Sequence, residues 1–250
     1  MSGHSKWSSI KHRKAATDAR RGQQFTKLAR AITVAAREGG GDPDGNPALA
    51  NAVQKAREAS MPKDNIERAI ARGTGEAADA AGIESVVYEA YGPGGAALMI
   101  ETLTDNRNRT GADVRHLLAK HGGTLGEPGS VAYLFEKRGV IVIDAGRYSE
   151  DDLIPAIDAG AQDIGVDEDV YEVVTAPSEL SAVRSALEQA GVELESAELV
   201  QRPTTRVHLD RGQAASVLAL IDALEEADDV QAVHSNFDVD AEVMEAIAAS

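Results

Sequence analysis

The sequence predicts an α+β protein of three domains, an N-terminal three-helix domain plus two ferredoxin-like α+β domains, one inserted in the other. Three observations predict it. Apolar residues recur at helical spacing through the first third, Phe25, Leu28, Ile32 and Ala36 forming the clearest set. Beyond residue 83 the period shortens to that of strands, with helical stretches between them. The charge also changes sign. The first 73 residues hold 14 basic and 7 acidic groups, net +7, and residues 74–250 hold 11 and 34, net −23.

Taken in order, a first helix is expected from Arg20 to Arg37, with Arg20, Lys27, Arg30 and Arg37 opposite its apolar face. Gly39-Gly40-Gly41-Asp42-Pro43 stops it. Asn46-Pro47 opens the next helix, because Asn caps well and Pro suits the first helical position. Met61-Pro62 ends that helix, and a third covers about Asp64 to Arg72, with Gly73 as its stop. Thr74 to Gly82 reads as a linker. Ser85–Tyr91 and Ala96–Thr104 form a hairpin across Gly92-Pro93-Gly94-Gly95. A helix from about Asn106 to His121 follows, then strands Val131–Phe135 and Val140–Asp144 separated by a break at Lys137-Arg138-Gly139. Ser149 with Asp152 resembles a capping box. Strand Val170–Thr175, helix Ser178–Ala190 and strand Ala197–Gln201 complete a small sandwich. A last helix, Arg211–Ala227, leads into strand Val230–His234. The expected domains are 1–78, 83–138 with 204–240, and an insertion at 139–203.

Composition narrows the function. Zero cysteines exclude disulfides, thiolate catalysis and Cys-ligated zinc. No apolar run approaches the length of a membrane span, and the start lacks the apolar stretch of a signal peptide, so no membrane partner and a cytoplasmic location are expected. The six histidines show no metal-ligand spacing, and no nucleophile elbow or P-loop is present. The expectation is a protein without enzymatic activity or cofactor.

Lys6 to Arg37 hold nine Lys or Arg against a single acid, Asp18, in a chain of formal charge −16. A local basic footprint on an acidic protein suits a directed polyanion contact. Lys6, Lys11, His12, Arg13, Lys14, Arg20, Arg21, Lys27 and Arg30 are the candidate phosphate ligands, and Trp7 either stacks on an unpaired base or packs on the bundle. The plainer alternative for the cations is a solvated helix face. Arg107 and Arg109, in Asp105-Asn106-Arg107-Asn108-Arg109-Thr110 at a strand-to-helix junction, either hold a phosphate with the helix N-terminus or pair with nearby carboxylates. The join between the first two helices, Gly39 to Asn46, is too long for a helix-turn-helix, so backbone or structured-RNA binding fits better than major-groove readout. Net −20 over residues 141–250 leaves three readings: contact with cationic ribosomal proteins, shielding of the basic domain in cis, or solubility alone.

Gly3-His4-Ser5-Lys6-Trp7, Ile10-Lys11-His12-Arg13-Lys14, Phe25-Thr26-Lys27-Leu28, Met61-Pro62-Lys63-Asp64-Asn65-Ile66, Tyr91-Gly92-Pro93-Gly94-Gly95 and Thr104-Asp105-Asn106-Arg107-Asn108-Arg109-Thr110 follow at the spacing of the YebC/PmpR family. The chain resembles that family over nearly its full length. The mitochondrial translational activator of cytochrome oxidase looks like a relative. The resemblance implies a helical amino-terminal domain plus two α+β domains. It also implies a nucleic-acid target: DNA, for a transcriptional regulator, or rRNA within the ribosome, for a factor acting on translation, including at proline-rich stretches. A small-molecule sensor built on the inserted domain and an acidic protein scaffold are the competing classes.

Overall fold

The computed structural model describes residues 18–75, 82–167 and 169–248. Helices α1 (Asp18–Gly39), α2 (Pro47–Glu58) and α3 (Lys63–Gly73) enclose Ile32, Leu49, Val53, Ala56, Met61 and Ile66. Asn46 organises the corner between α1 and α2. Its Oδ1 caps α2 by accepting from Leu49 N at 3.1 Å, and its Nδ2 donates to the carbonyls of Ala35 and Gly40, both at 2.8 Å. Gly73 ends α3 hard against α1, where an added Cβ would overlap the Thr33 carbonyl and Ala36.

Strands β1 (Glu84–Tyr91) and β2 (Ala97–Thr104) form the antiparallel hairpin, turning through Pro93–Gly95 with Gly94 at φ +70° and Gly95 at +81°. Helix α4 (Arg107–Lys120) follows, capped by Asn106, then the short β3 (Thr124–Leu125). The chain next builds a second sheet before returning. Helix α7 (Arg211–Glu225) and β9 (Val230–Ser235) complete the first sheet, whose order is β3-β1-β2-β9. One face packs on α4 and α7 through Leu98, Ile100, Val114, Leu118, Leu218 and Ile221. The pair β8 (Val207–His208) and β10 (Phe237–Asp238) is parallel, and α8 (Ala241–Ala248) adds Met244 to the same core.

The second sheet comes from β4 (Phe135–Asp144), β5 (Ala161–Asp167), β6 (Val170–Thr175) and β7 (Ser196–Pro203), with helices α5 (Ile154–Asp158) and α6 (Leu180–Gln189) on one face. Its order β5-β6-β4-β7, antiparallel throughout, is the split βαβ pattern. Ile141, Ile143, Tyr171 and Val173 face the helices, with Leu180, Val183 and Leu187 opposite.

The architecture is α+β, with a helical unit followed by two antiparallel sheets. Two local expectations fail. Ala132–Leu134 is a 3₁₀ turn, because three backbone N–H groups there and at Gly129 converge on Glu89 rather than pairing with a strand. Lys137-Arg138-Gly139 is no break either: β4 runs unbroken from Phe135 to Asp144. Gly139 is required there by packing, since a Cβ would collide with Thr175 Oγ1 and sit 3.0 Å from Leu180 Cβ. Strand β5 and helix α8 are additional elements. The expected linker, Thr74 to Gly82, falls largely on residues 76–81, outside the described residues. Among the described residues no helix is long and apolar enough to cross a membrane.

Candidate nucleic-acid interface

Lys6, Trp7, Lys11, His12, Arg13 and Lys14 lie outside the described residues, and Arg20 and Arg21 sit on the first turns of α1. Further along α1, Gln23, Lys27 and Arg30 fall at i, i+4 and i+7, one stripe of the helix. That stripe is docked on the turn after α7. Gln23 Nε2 donates to the Glu226 carbonyl and, at 3.2 Å, to Asp228 Oδ1. Lys27 Nζ donates to the Glu225 carbonyl. Arg30 Nη1 donates to the Asp228 carbonyl and to Asp229 Oδ1, each at 2.7 Å.

The chemistry of α7 explains the attraction. A helix C-terminus carries unpaired carbonyls and partial negative charge, which cations stabilise. The last turn of α7 has no basic residue, and Glu225, Glu226, Asp228 and Asp229 add charge of the wrong sign. Helix α1 supplies the missing cations from another part of the chain.

Asp229 is the centre of the contact. It is 7% exposed. Besides Arg30 it accepts from Arg109 Nη2 at 2.8 Å, Thr110 Oγ1 at 2.6 Å and Thr104 Oγ1 at 3.3 Å. Burial pushes the Asp229 carboxyl up, but the hydrogen bonds from Arg109 and Thr110, with the charges of Arg30 and Arg109, hold it below the usual carboxylate range. Arg109 also reaches Asp105 at 2.8 Å, and Asn106 Oδ1 caps α4 by accepting from Arg109 N at 3.1 Å. Of the two readings open for this motif, the geometry around Arg109 is that of capping and carboxylate pairing. Arg107 is exposed, and its carbonyl accepts from the Tyr88 hydroxyl. A cleft of about 600 Å³ opens beside the contact, lined by Arg30, Arg109, Asp113, His116 and Asp228 among others.

Helix α2 is the other element of the helical unit able to present polar groups to bases. Val53 and Ala56 are buried, Gln54 Nε2 donates to Glu58 Oε1, and Lys55 Nζ meets Glu198 Oε1 at 2.7 Å. Glu58 in turn accepts from Arg184 at 2.9 Å. Only Arg57 of the run Val53 to Arg57 is fully exposed. Arg37, Lys63, Arg68 and Arg72 are also exposed on this unit and were not among the expected contacts.

The second sheet offers nucleic acid little. Sheets that read RNA stack bases on exposed aromatics. The face away from α5 and α6 instead carries Val140, Val142, Val170 and Val200, with Glu172 paired to Arg202 at 2.9 Å. Residues 139–203 hold 15 acidic groups and three arginines, and each arginine is engaged, Arg147 by Glu193, Arg184 by Glu58 and Glu188, Arg202 by Glu172.

Sequence reasoning found the cations and missed their partner. The run Glu225-Glu226-Ala227-Asp228-Asp229, placed after a helix with no basic residue in its last turn, was the available signal.

Comparison with known proteins gives a consistent picture. The family model described as the TACO1/YebC protein N-terminal domain matches residues 5–76, and that of the TACO1/YebC second and third domain matches residues 83–237. A relative from Rubrobacter xylanophilus, named "Probable transcriptional regulatory protein", is 57% identical, the alignment covering 99% of this chain and 100% of the relative. One of the same name from Persephonella marina is 53% identical with the same coverage. The crystal structure of a conserved hypothetical protein from Aquifex aeolicus superposes with a TM-score of 0.83 at 47% identity, covering 92% of this chain and 96% of that one.

Proposed function

The chain belongs to the TACO1/YebC family, and we propose that it is a non-enzymatic, cytoplasmic, nucleic-acid-binding regulator of gene expression. In this reading residues 1–78 grip phosphates, and two further units, 83–138 with 204–240 and 139–203, position that grip. One observation carries it: the first 73 residues are net +7 on a chain whose remainder is net −23. An acidic surface repels a polyanion everywhere except at such a footprint. The names of the relatives favour transcription, and so DNA, as the arena.

A second reading, rRNA and translation, is favoured by the placement of α2. A major-groove reader needs a helix with three or four free side chains aimed at base edges. Lys55 and Glu58 are instead tied to Glu198 and Arg184, which leaves α2 poorly placed for that task. Two measurements separate the readings. Selection from a random duplex pool enriches one sequence if DNA readout is the activity. Stoichiometric co-sedimentation with ribosomes from DNase-treated lysate at near-physiological salt marks the translation reading. A protein that binds neither DNA nor ribosomes refutes both.

A further inference from the structure

We infer that the acidic turn Glu225–Asp229 occupies the phosphate-binding face of α1 in cis, and that nucleic acid binds by displacing it. The inference rests on the reading that the helical unit grips a polyanion, and it adds how that grip is regulated. Every acceptor that Gln23, Lys27 and Arg30 meet on the turn is a carbonyl or carboxylate oxygen. Phosphate oxygens satisfy the same donors in the same way, so the exchange trades oxygen for oxygen. The turn, four carboxylates at the negative end of α7, is a local imitation of a phosphate run.

Two features make the exchange feasible. Asp229 has a second cation. When Arg30 leaves, Arg109, Thr110 and Thr104 still hold the carboxylate, so opening strands no buried charge. The attachment of the helical unit is also strongly polar. Its apolar core is separate from those of the two sheets, and ion pairs link it to them: Arg30 with Asp229, Lys55 with Glu198, Glu58 with Arg184. Lys55 and Glu198 are each 42% exposed, a degree at which salt screens a pair effectively. Interfaces of this kind permit relative domain motion. The closed form is therefore a minor obstacle to a long polyanion and a large one to a single small anion, which lacks the valence to replace several contacts at once.

The absence of cysteine provides a clean test. Gln23→Cys with Asp228→Cys places two thiols where the native side chains touch, and a reducible bis-maleimide bridges them in the full chain. The probes are a labelled oligonucleotide, single-stranded and as duplex DNA, and the same sequence as RNA, followed by fluorescence anisotropy. The bridged protein is expected to bind at least about ten-fold more weakly, and its log–log salt dependence to be shallower by about 2–3, the share of some three lost phosphate contacts. Reduction restores both. Asp229→Asn, checked as folded by circular dichroism, weakens the internal occupant and tightens binding a few-fold. Equal binding by the bridged and reduced forms overturns the inference while leaving nucleic-acid binding intact. Unchanged or weaker affinity in folded Asp229→Asn overturns it as well. Failure of every form to bind any probe refutes the functional reading, and the inference with it.

Discussion

Replacing Asp229 by Asn removes one charge from the point where the helical unit meets the first sheet. The carboxylate receives hydrogen bonds from Arg30, Arg109, Thr110 and Thr104 at 2.6–3.3 Å. A hydrogen bond involving a charged group contributes about 1.5–3 kcal/mol, and a neutral one about 0.5–1.5. Taking one partner from a fully buried ion pair costs about 3–5 kcal/mol. Here both guanidiniums retain water, Arg109 at 46% and Arg30 at 22% side-chain exposure, so that full cost does not apply. Asn also preserves an acceptor for Thr110. The expected loss is about 2–3 kcal/mol in urea unfolding at pH 7. Its pH dependence has a definite sign. Asp229 is held below the ordinary carboxylate range, so its contribution is present above the unfolded value of about 3.9 and is lost as pH falls through the lower folded value. The gap between wild type and variant is therefore flat from about pH 7 to 5 and narrows below about pH 4. A gap under about 0.5 kcal/mol at pH 7, within the range of an ordinary surface change, refutes this account of Asp229.

Three further outcomes follow from local geometry. Asn46→Asp keeps the cap oxygen but sets a carboxylate against the Ala35 and Gly40 carbonyls, so it destabilises by about 2–4 kcal/mol in urea unfolding, although Asp and Asn are equal caps in isolation. Gly139→Ala forces Thr175 and Leu180 apart and loses about 1–3 kcal/mol by the same assay. Glu89→Gln weakens the hydrogen bonds that the carboxylate accepts from Gly129, Val131 and Ala132, and faster hydrogen exchange confined to residues 126–134 reports it. Burial pushes Glu89 up, but those three N–H donors bring it below its ordinary value, so its support of the segment is present at neutral pH and fades as pH falls through that lowered value.

What the sequence made legible was local chemistry. Asn46-Pro47 carries its own cap and first-turn signals, and both operate as expected. The hairpin at Gly92 to Gly95 is likewise written in residues that tolerate positive φ. Strand β5 was not legible: Ala161 to Asp167 is polar, and it is a strand because β6 pairs with it. Gly139 looked like a break because its reason, contact with Thr175 and Leu180, lies 36 or more residues away in the chain. The candidate site divides in the same way. Charge counting located the cations of α1, since clustering is a property of sequence. Their engagement by residues 225–229, about 200 positions on, is a property of the fold.

The central claim is that the basic amino-terminal unit grips a phosphate backbone. The most direct measurement is the affinity of the full chain for an oligonucleotide as a function of salt, beside a Lys11→Glu, Arg13→Glu, Lys14→Glu variant. With roughly six contacts the native log–log slope is about −4 on single strands and about −5 on duplex DNA, and the variant loses about 2–3 of it along with most of its affinity. A native slope near zero, or a variant that matches the native chain, contradicts the account.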